Sequence, residues 1–203
     1  YSASEMGAKE LPEYDVGARS AICMARRVID PLAELVKIEP KSLGVGQYQH
    51  DIDEKKLTDA LDKTVEDCVN SVGVDLNTAS YSLLEHISGI TKAVAKNIVS
   101  YREKNGIFKN RNELLKVPKL GEKAFEQSAG FLRIRNGNEF LDSTGIHPES
   151  YEAARKVMHK IKSGLNKSDM RTNYKEIAKE LNIGDLTLLD IINELEKPGR
   201  DPR

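Results

Sequence analysis

Tryptophan is absent from this chain, and aromatic residues make up only 5% of it. Few rings are therefore available for unpaired bases to stack on, which argues against a stacking platform for single strands. There are only two cysteines, Cys23 and Cys68, far apart and without C-x-x-C spacing. That argues against a zinc site or a disulfide framework. Both thiols lie on apolar helix faces and are predicted to be reduced and buried. His50, His86, His147 and His159 show no metal-ligand spacing, so neither a metal nor a cofactor is expected. No long apolar run occurs, so no transmembrane helix and no membrane partner are predicted. No signal peptide is visible, and a cytoplasmic location is expected. The chain starts at Tyr1 rather than Met, which reads as a piece of a longer protein. Strand-like alternation is also missing, so the fold class predicted is all-α.

What is present is a soluble composition with a repeat inside it. Apolar residues reach 39% and charged residues 31% of 203 positions, enough for one large or two small domains. Leu84, Ile87 and Ile90 recur 30 residues later as Leu114, Val117 and Leu120. Each copy reads as a short apolar helix, a tight turn containing Gly, and a second helix. Such self-similarity marks a duplicated supersecondary unit. Charge singles out the same stretch. Residues 84–135 carry eleven cations against five anions, +6 within a chain of net charge −1. A basic island in an acidic surround points to nucleic acid.

A helical hairpin suits that partner for a simple reason. The second helix begins with backbone N–H groups that have no intrahelical acceptor. The helix dipole adds partial positive charge there, and a phosphate fits both. Glycine permits positive φ and close approach of the backbone. The predicted phosphate-binding residues are Ser88, Gly89, Ile90, Thr91, Lys92 and Lys96 at the first turn, and Lys119, Leu120, Gly121 and Lys123 at the second. Arg102, Lys109 and Arg111 are predicted to add supporting charge. Such contacts hold phosphate without reading bases.

These residues carry a resemblance. The stretch Leu83–Ile134 resembles a tandem helix-hairpin-helix module, each hairpin keeping one of that family's two glycines: Gly89 with Thr91, and Gly121 with Lys119. The run Tyr101–Lys109 is similar to that family's linker. A second resemblance covers essentially the whole chain. DPLAELVKIEPKSLGVGQYQHDI, the opening YSASE and DVGARSAICMARR, and the closing LEKPGRDPR resemble the Tex family of bacterial transcription accessory proteins. The resemblance implies three parts: the end of an RNase H-like domain plus linker over 1–52, the tandem hairpin module with its preceding helix over 53–135, and a small helical connector over 136–203. The connector would lead to an OB-fold outside this chain. Nucleic acid is the implied partner, duplex DNA or structured RNA, with RNA polymerase or other transcription machinery as a further one.

Along the chain, helices are predicted over 2–11 with Ser2 or Ser4 as cap, from Val16 after Asp15, and over 32–38. A loop follows over 39–51. A long helix runs from Asp53 to Val72, with Leu57, Leu61, Val65, Cys68, Val69 and Val72 as its apolar stripe and Gly73 as its stop. Asn110 and Glu113 have capping-box spacing. Pro148 opens a helix to about Lys162, residues 164–173 read as a loop, and helices over 174–181 and 186–195 follow, the latter capped by Asp185. Pro198 and Pro202 end the order.

No catalytic residue is assigned. Asp15 stands alone where a metal nuclease would need several converging carboxylates, and one Asp before a helix is an ordinary N-cap. The helices after Gly89 and Gly121 lack the Asp that a hairpin glycosylase requires. The expected function is therefore non-enzymatic, non-sequence-specific nucleic-acid binding. The alternative is a helical scaffold that contacts the transcription machinery. A competence-type DNA receptor shares the hairpin, but the flanks do not match one.

Overall fold

The first three helices each begin at a side-chain cap. The structure is a computed structural model, and it describes residues 1–164 and 166–196. Ser4 caps α1 (Glu5–Glu10), Asp15 caps α2 (Val16–Ile29) and Asp30 caps α3 (Pro31–Leu35), each side chain accepting a backbone N–H three residues on. Such caps contribute about 1 kcal/mol each. Asp15 is thus a helix cap. α4 (Pro40–Leu43) and a 3₁₀ turn over Gln49–Asp51 follow. Asp53 caps α5 (Glu54–Val72), and Gly73 ends it. α1 starts later than predicted, and α3 ends at Leu35 rather than Ile38, because its last turn is not continued.

The hairpin region holds α6 (Tyr81–Leu84), α7 (Lys92–Asn105), a 3₁₀ helix over Arg111–Lys116 and α8 (Glu122–Ser128). The fold is nearly all α, with one small departure. β1 (Val74–Asp75) and β2 (Leu132–Arg133) pair in parallel, Val74 with Leu132 and Asp75 with Arg133. Two residues are too few for an alternating pattern to be visible in sequence. The bridge joins the start of the duplicated unit to its end.

Two 3₁₀ turns, over Phe140–Ser143 and Pro148–Ser150, lead to α9 (Tyr151–Lys162), α10 (Lys167–Thr172), α11 (Tyr174–Leu181) and α12 (Asp185–Glu196). α10 replaces the loop predicted over 164–173. Its polar composition hid it; Met170 is the anchor, fully buried among α9, α11 and α12 side chains. Asp185 is the first residue of α12 rather than a flanking cap. Pro198, Pro202 and most of the closing run LEKPGRDPR lie outside the described residues.

Two apolar cores result. The first gathers Val69, Leu76, Leu84, Ile87, Ile98, Leu114, Leu132 and Ile134 around both hairpins. The second gathers Leu141, Ala154, Val157, Met170, Leu188 and Ile192. Each fully buried Leu or Ile is worth roughly 1.5–3 kcal/mol relative to exposure. α5 contributes little to this. Val69 is fully buried, but Leu57, Leu61, Val65 and Val72 are only half-buried. Its stripe meets the core only near the C-terminal end.

Cys68 corrects a prediction for that reason: it is exposed beside Val69, whereas Cys23 is buried at 3% exposure. Burial and the carboxylate of Glu34 push the Cys23 thiol up from its usual pKa. Thiol labelling of the folded protein is accordingly expected to be fast at Cys68 and slow at Cys23 until denaturant is added. Equal rates at the two positions would contradict this packing. On α2, Met24, Val28 and Ile29 are exposed and Cys23 faces inward. Among the described residues, no helix is long and apolar enough to cross a membrane, and no group of three or more His, Cys, Asp or Glu could hold a metal ion.

Candidate nucleic-acid interface

The duplication seen in sequence is repeated bond for bond. At the first turn, Ile87 N–H donates to Leu84 O, Ile90 N–H to Ile87 O and Ala95 N–H to Thr91 O. At the second, Val117 N–H donates to Leu114 O, Leu120 N–H to Val117 O and Phe125 N–H to Gly121 O. Each pair is offset by the same 30 residues. Equal spacing of apolar anchors forces equal backbone paths: Ile87, Ile90, Val117 and Leu120 are all buried and hold the turns against one core.

What remains open is equally alike. Among the described residues, the N–H groups of Gly89, Thr91, Lys92 and Ala93 make no hydrogen bond. The same holds at Lys119, Gly121, Glu122 and Lys123. Thr91 Oγ1 caps α7 by accepting from Val94 N–H at 3.4 Å. Gly121 has no side chain to do so, and Ala124 N–H is open as well. Open backbone donors at a helix start are the kind of feature to which an anion can bind.

The structure reassigns several predicted site residues. Gly89 has φ +84°, as a tight turn with glycine requires, and a Cβ there would lie 2.8 Å from Gln127 Cβ on α8. Its missing side chain thus lets one hairpin pack on the other. Gly121 does not take positive φ; it sits at φ −89° as the N-cap of α8. The left-handed position of the second turn falls instead on Lys119, at φ +66°. Lys119 aligns with Gly89, and Gly121 with Thr91, so the two glycines do different work. Holding a lysine in this region is uncommon and costs backbone energy. Ile90 and Leu120 are core residues whose N–H groups are already used within the turn, so they offer no donor.

Side chains around the turns are unequal. Lys92 is exposed, with Glu85 3.9 Å away. Lys96 lies over the Tyr81 ring at 5.7 Å and remains exposed. Lys109, Lys119 and Lys123 are exposed, and none is in an ion pair among the described residues. Ser88 is not free: its hydroxyl donates to Glu66 Oε1 at 2.8 Å. Asn97, unremarked in the sequence, donates from Nδ2 to Pro118 O at 2.8 Å and ties α7 to the second turn. Nothing in its sequence context distinguishes this Asn from any helical surface residue.

Arg102 and Arg111 are not surface charges of equal standing. Arg102 is half-buried and donates to Leu76 O at 3.0 Å; burial lowers its pKa from the usual value. Arg111 is a correction. It is 1% exposed, and its guanidinium donates to Leu132 O and Ile146 O, both at 2.7 Å, to Thr144 O, and to Tyr151 Oη at 2.7 Å. Its cation is unavailable to a ligand at the surface. Tyr151 in turn donates to Asp142 Oδ1, and Arg111 N–H donates to Asp142 Oδ2 at 2.9 Å. Burial raises the Tyr151 pKa far above its usual value, opposed by Arg111 and reinforced by Asp142. Asn110 accepts from Glu113 N–H as predicted, but Glu113 accepts from Lys109 N–H rather than Asn110 N–H, so the capping box is shifted by one residue.

Comparison with known proteins agrees with this geometry. The family described as Helix-hairpin-helix motif matches residues 69–133, and that described as HHH domain matches residues 139–203. Among curated proteins, Transcriptional accessory protein Tex of Neisseria gonorrhoeae is 54% identical, covering 100% of this chain and 28% of that relative. Protein YhgF of Escherichia coli strain K12 is 53% identical over 100% of this chain and 27% of its own length. Protein tex of Bordetella pertussis is 51% identical over 100% of this chain and 26% of its own length. The chain thus spans little more than a quarter of the relatives it matches. With both hairpins in place and more than half its residues shared with proteins of that name, the chain belongs to the Tex family.

Proposed function

We propose that this chain binds nucleic acid without sequence preference, by phosphate contacts at its two hairpin turns, as part of a transcription accessory factor. The observation that supports the reading most is the duplicated set of open N–H groups beside exposed lysines. Lys92 and Lys96 flank the first set, and Lys119 and Lys123 the second. Backbone donors and a point charge together suit a phosphate oxygen, which carries full negative charge and several lone pairs. Contacts of this type position the protein without selecting sequence. The role proposed is binding, not catalysis. The names of the relatives support the transcriptional context. A polymerase contact belongs to the alternative, in which the module serves as a protein scaffold.

The test is a salt titration of the chain on duplex DNA, single-stranded DNA and RNA. If about four to six phosphates are contacted, log K on duplex DNA falls against log salt with a slope of roughly −4 to −5. Unrelated duplexes of equal length should bind within about threefold of one another, because deformation rather than base contact is all that distinguishes them. A salt-independent interaction, or strong preference for one sequence, would sink the phosphate reading.

A further inference from the structure

The two turns differ in what holds them from behind, and the difference carries charge. At the first turn, Ser88 is tied to α5 by three hydrogen bonds. Its hydroxyl donates to Glu66 Oε1 at 2.8 Å and accepts from Asn70 Nδ2 at 3.0 Å, and its N–H donates to Asn70 Oδ1 at 3.2 Å. Glu66 and Asn70 are one helical turn apart on α5, so they share a face and reach the same residue. At the second turn the matching residue is Pro118, which has neither N–H nor hydroxyl to offer. Its carbonyl is held by the neutral amide of Asn97. The first turn is therefore braced by a carboxylate bound to Ser88, the residue before the open N–H of Gly89, with Glu85 near Lys92 as a second anion. The second turn has its own anions, Glu122 and Glu126 on α8, at the positions where α7 carries Lys92 and Lys96.

We propose that Glu66 is a positioning residue that fixes the first hairpin turn and, through its charge, lowers that turn's phosphate affinity. The inference rests on the phosphate reading given above. Neither effect needs a change of shape. The hydrogen bonds hold Ser88 and hence the direction of the following N–H groups. The negative charge opposes an incoming phosphate over a few ångströms, where solvent screening is incomplete. Hairpin one is then a contact whose strength responds to charge on α5.

Glu66→Gln separates these roles, because the amide oxygen still accepts from Ser88 while the charge is gone. In the 203-residue chain at low salt, the variant is expected to bind duplex DNA about 2- to 5-fold more tightly, the gain fading toward high salt. Glu176→Gln on α11 removes the same charge away from both turns and controls for net charge. Asn70→Ala removes two of the three bonds and no charge, and should not tighten binding. Equal gains for Glu66→Gln and Glu176→Gln, or tightening by Asn70→Ala, would each overturn the proposal. Glu66→Ala, read against Glu66→Gln at matched melting temperature, covers the case in which the amide perturbs the turn; a gain in neither variant also overturns it. Failure of the phosphate reading looks different: the parent chain would bind independently of salt, and loss of Lys119 or Lys123 would leave binding unchanged.

Discussion

Replacing Arg111 by methionine is expected to destabilise the protein by about 3–5 kcal/mol, the range typical of removing one partner from a buried charged network. The reason is the number of groups the guanidinium serves. Without it, the carbonyls of Leu132, Thr144 and Ile146 lose a donor, and Tyr151 loses the cation against its hydroxyl. An unsatisfied buried polar group costs about 1–3 kcal/mol on its own account. For a chain of this length, the melting temperature should fall by roughly 6–20 °C. Lysine should recover little, since one ammonium on a flexible stem cannot reproduce the planar fork that reaches three carbonyls. The same network joins the two cores: Leu132 belongs to the first, Ile146 and Tyr151 to the second. Loss of the single cooperative transition in favour of two is therefore expected alongside the shift. Where Arg111→Met is still folded, the salt slope of nucleic-acid binding should match the parent, because the charge removed was never at the surface. A melting temperature within about 2 °C of the parent would show that Arg111 does not pin the cores together.

A double change at the hairpins should do the opposite, leaving the fold intact and weakening binding. Lys92→Ala with Lys123→Ala removes one exposed cation from each turn. Exposed charges contribute little to stability, so the melting temperature should hold. Each lost phosphate contact flattens the salt slope by about 0.9 unit, which at about 0.1 M salt is roughly 8-fold in affinity. The pair should therefore cost on the order of 60-fold, about equally on all duplex sequences. Fluorescence anisotropy at three salt concentrations reads both the loss and the slope. A folded double variant that binds like the parent would refute the hairpin–phosphate mechanism and favour the scaffold alternative.

Much of this architecture was legible in the chain itself. Leu84, Ile87 and Ile90, with Leu114, Val117 and Leu120, announced the duplicated hairpin because apolar anchors at fixed spacing leave a backbone little choice of path. Asp15, Asp53 and Asn110 marked helix starts, since capping is a local hydrogen bond that depends on neighbours three residues away. The exposure of Lys92, Lys119 and Lys123 also followed from the polar side of the pattern.

Contacts across long sequence separation could not be read this way. Which arginine is buried depends on which carbonyls meet it, and Arg111 finds its partners 21 to 40 residues away. Which turn residue takes the left-handed conformation depends on the space around it: Gly89 packs against Gln127, and Lys119 takes that conformation where Gly121 was expected to. Cys68 is exposed because α5 meets the core mainly at Val69, a matter of where the helix lies and not of its apolar stripe. Spacing and capping are short-range and were determined by the sequence alone. Partnership, burial and the charge beside each turn arise only when distant segments share one volume, so the tertiary structure decided them.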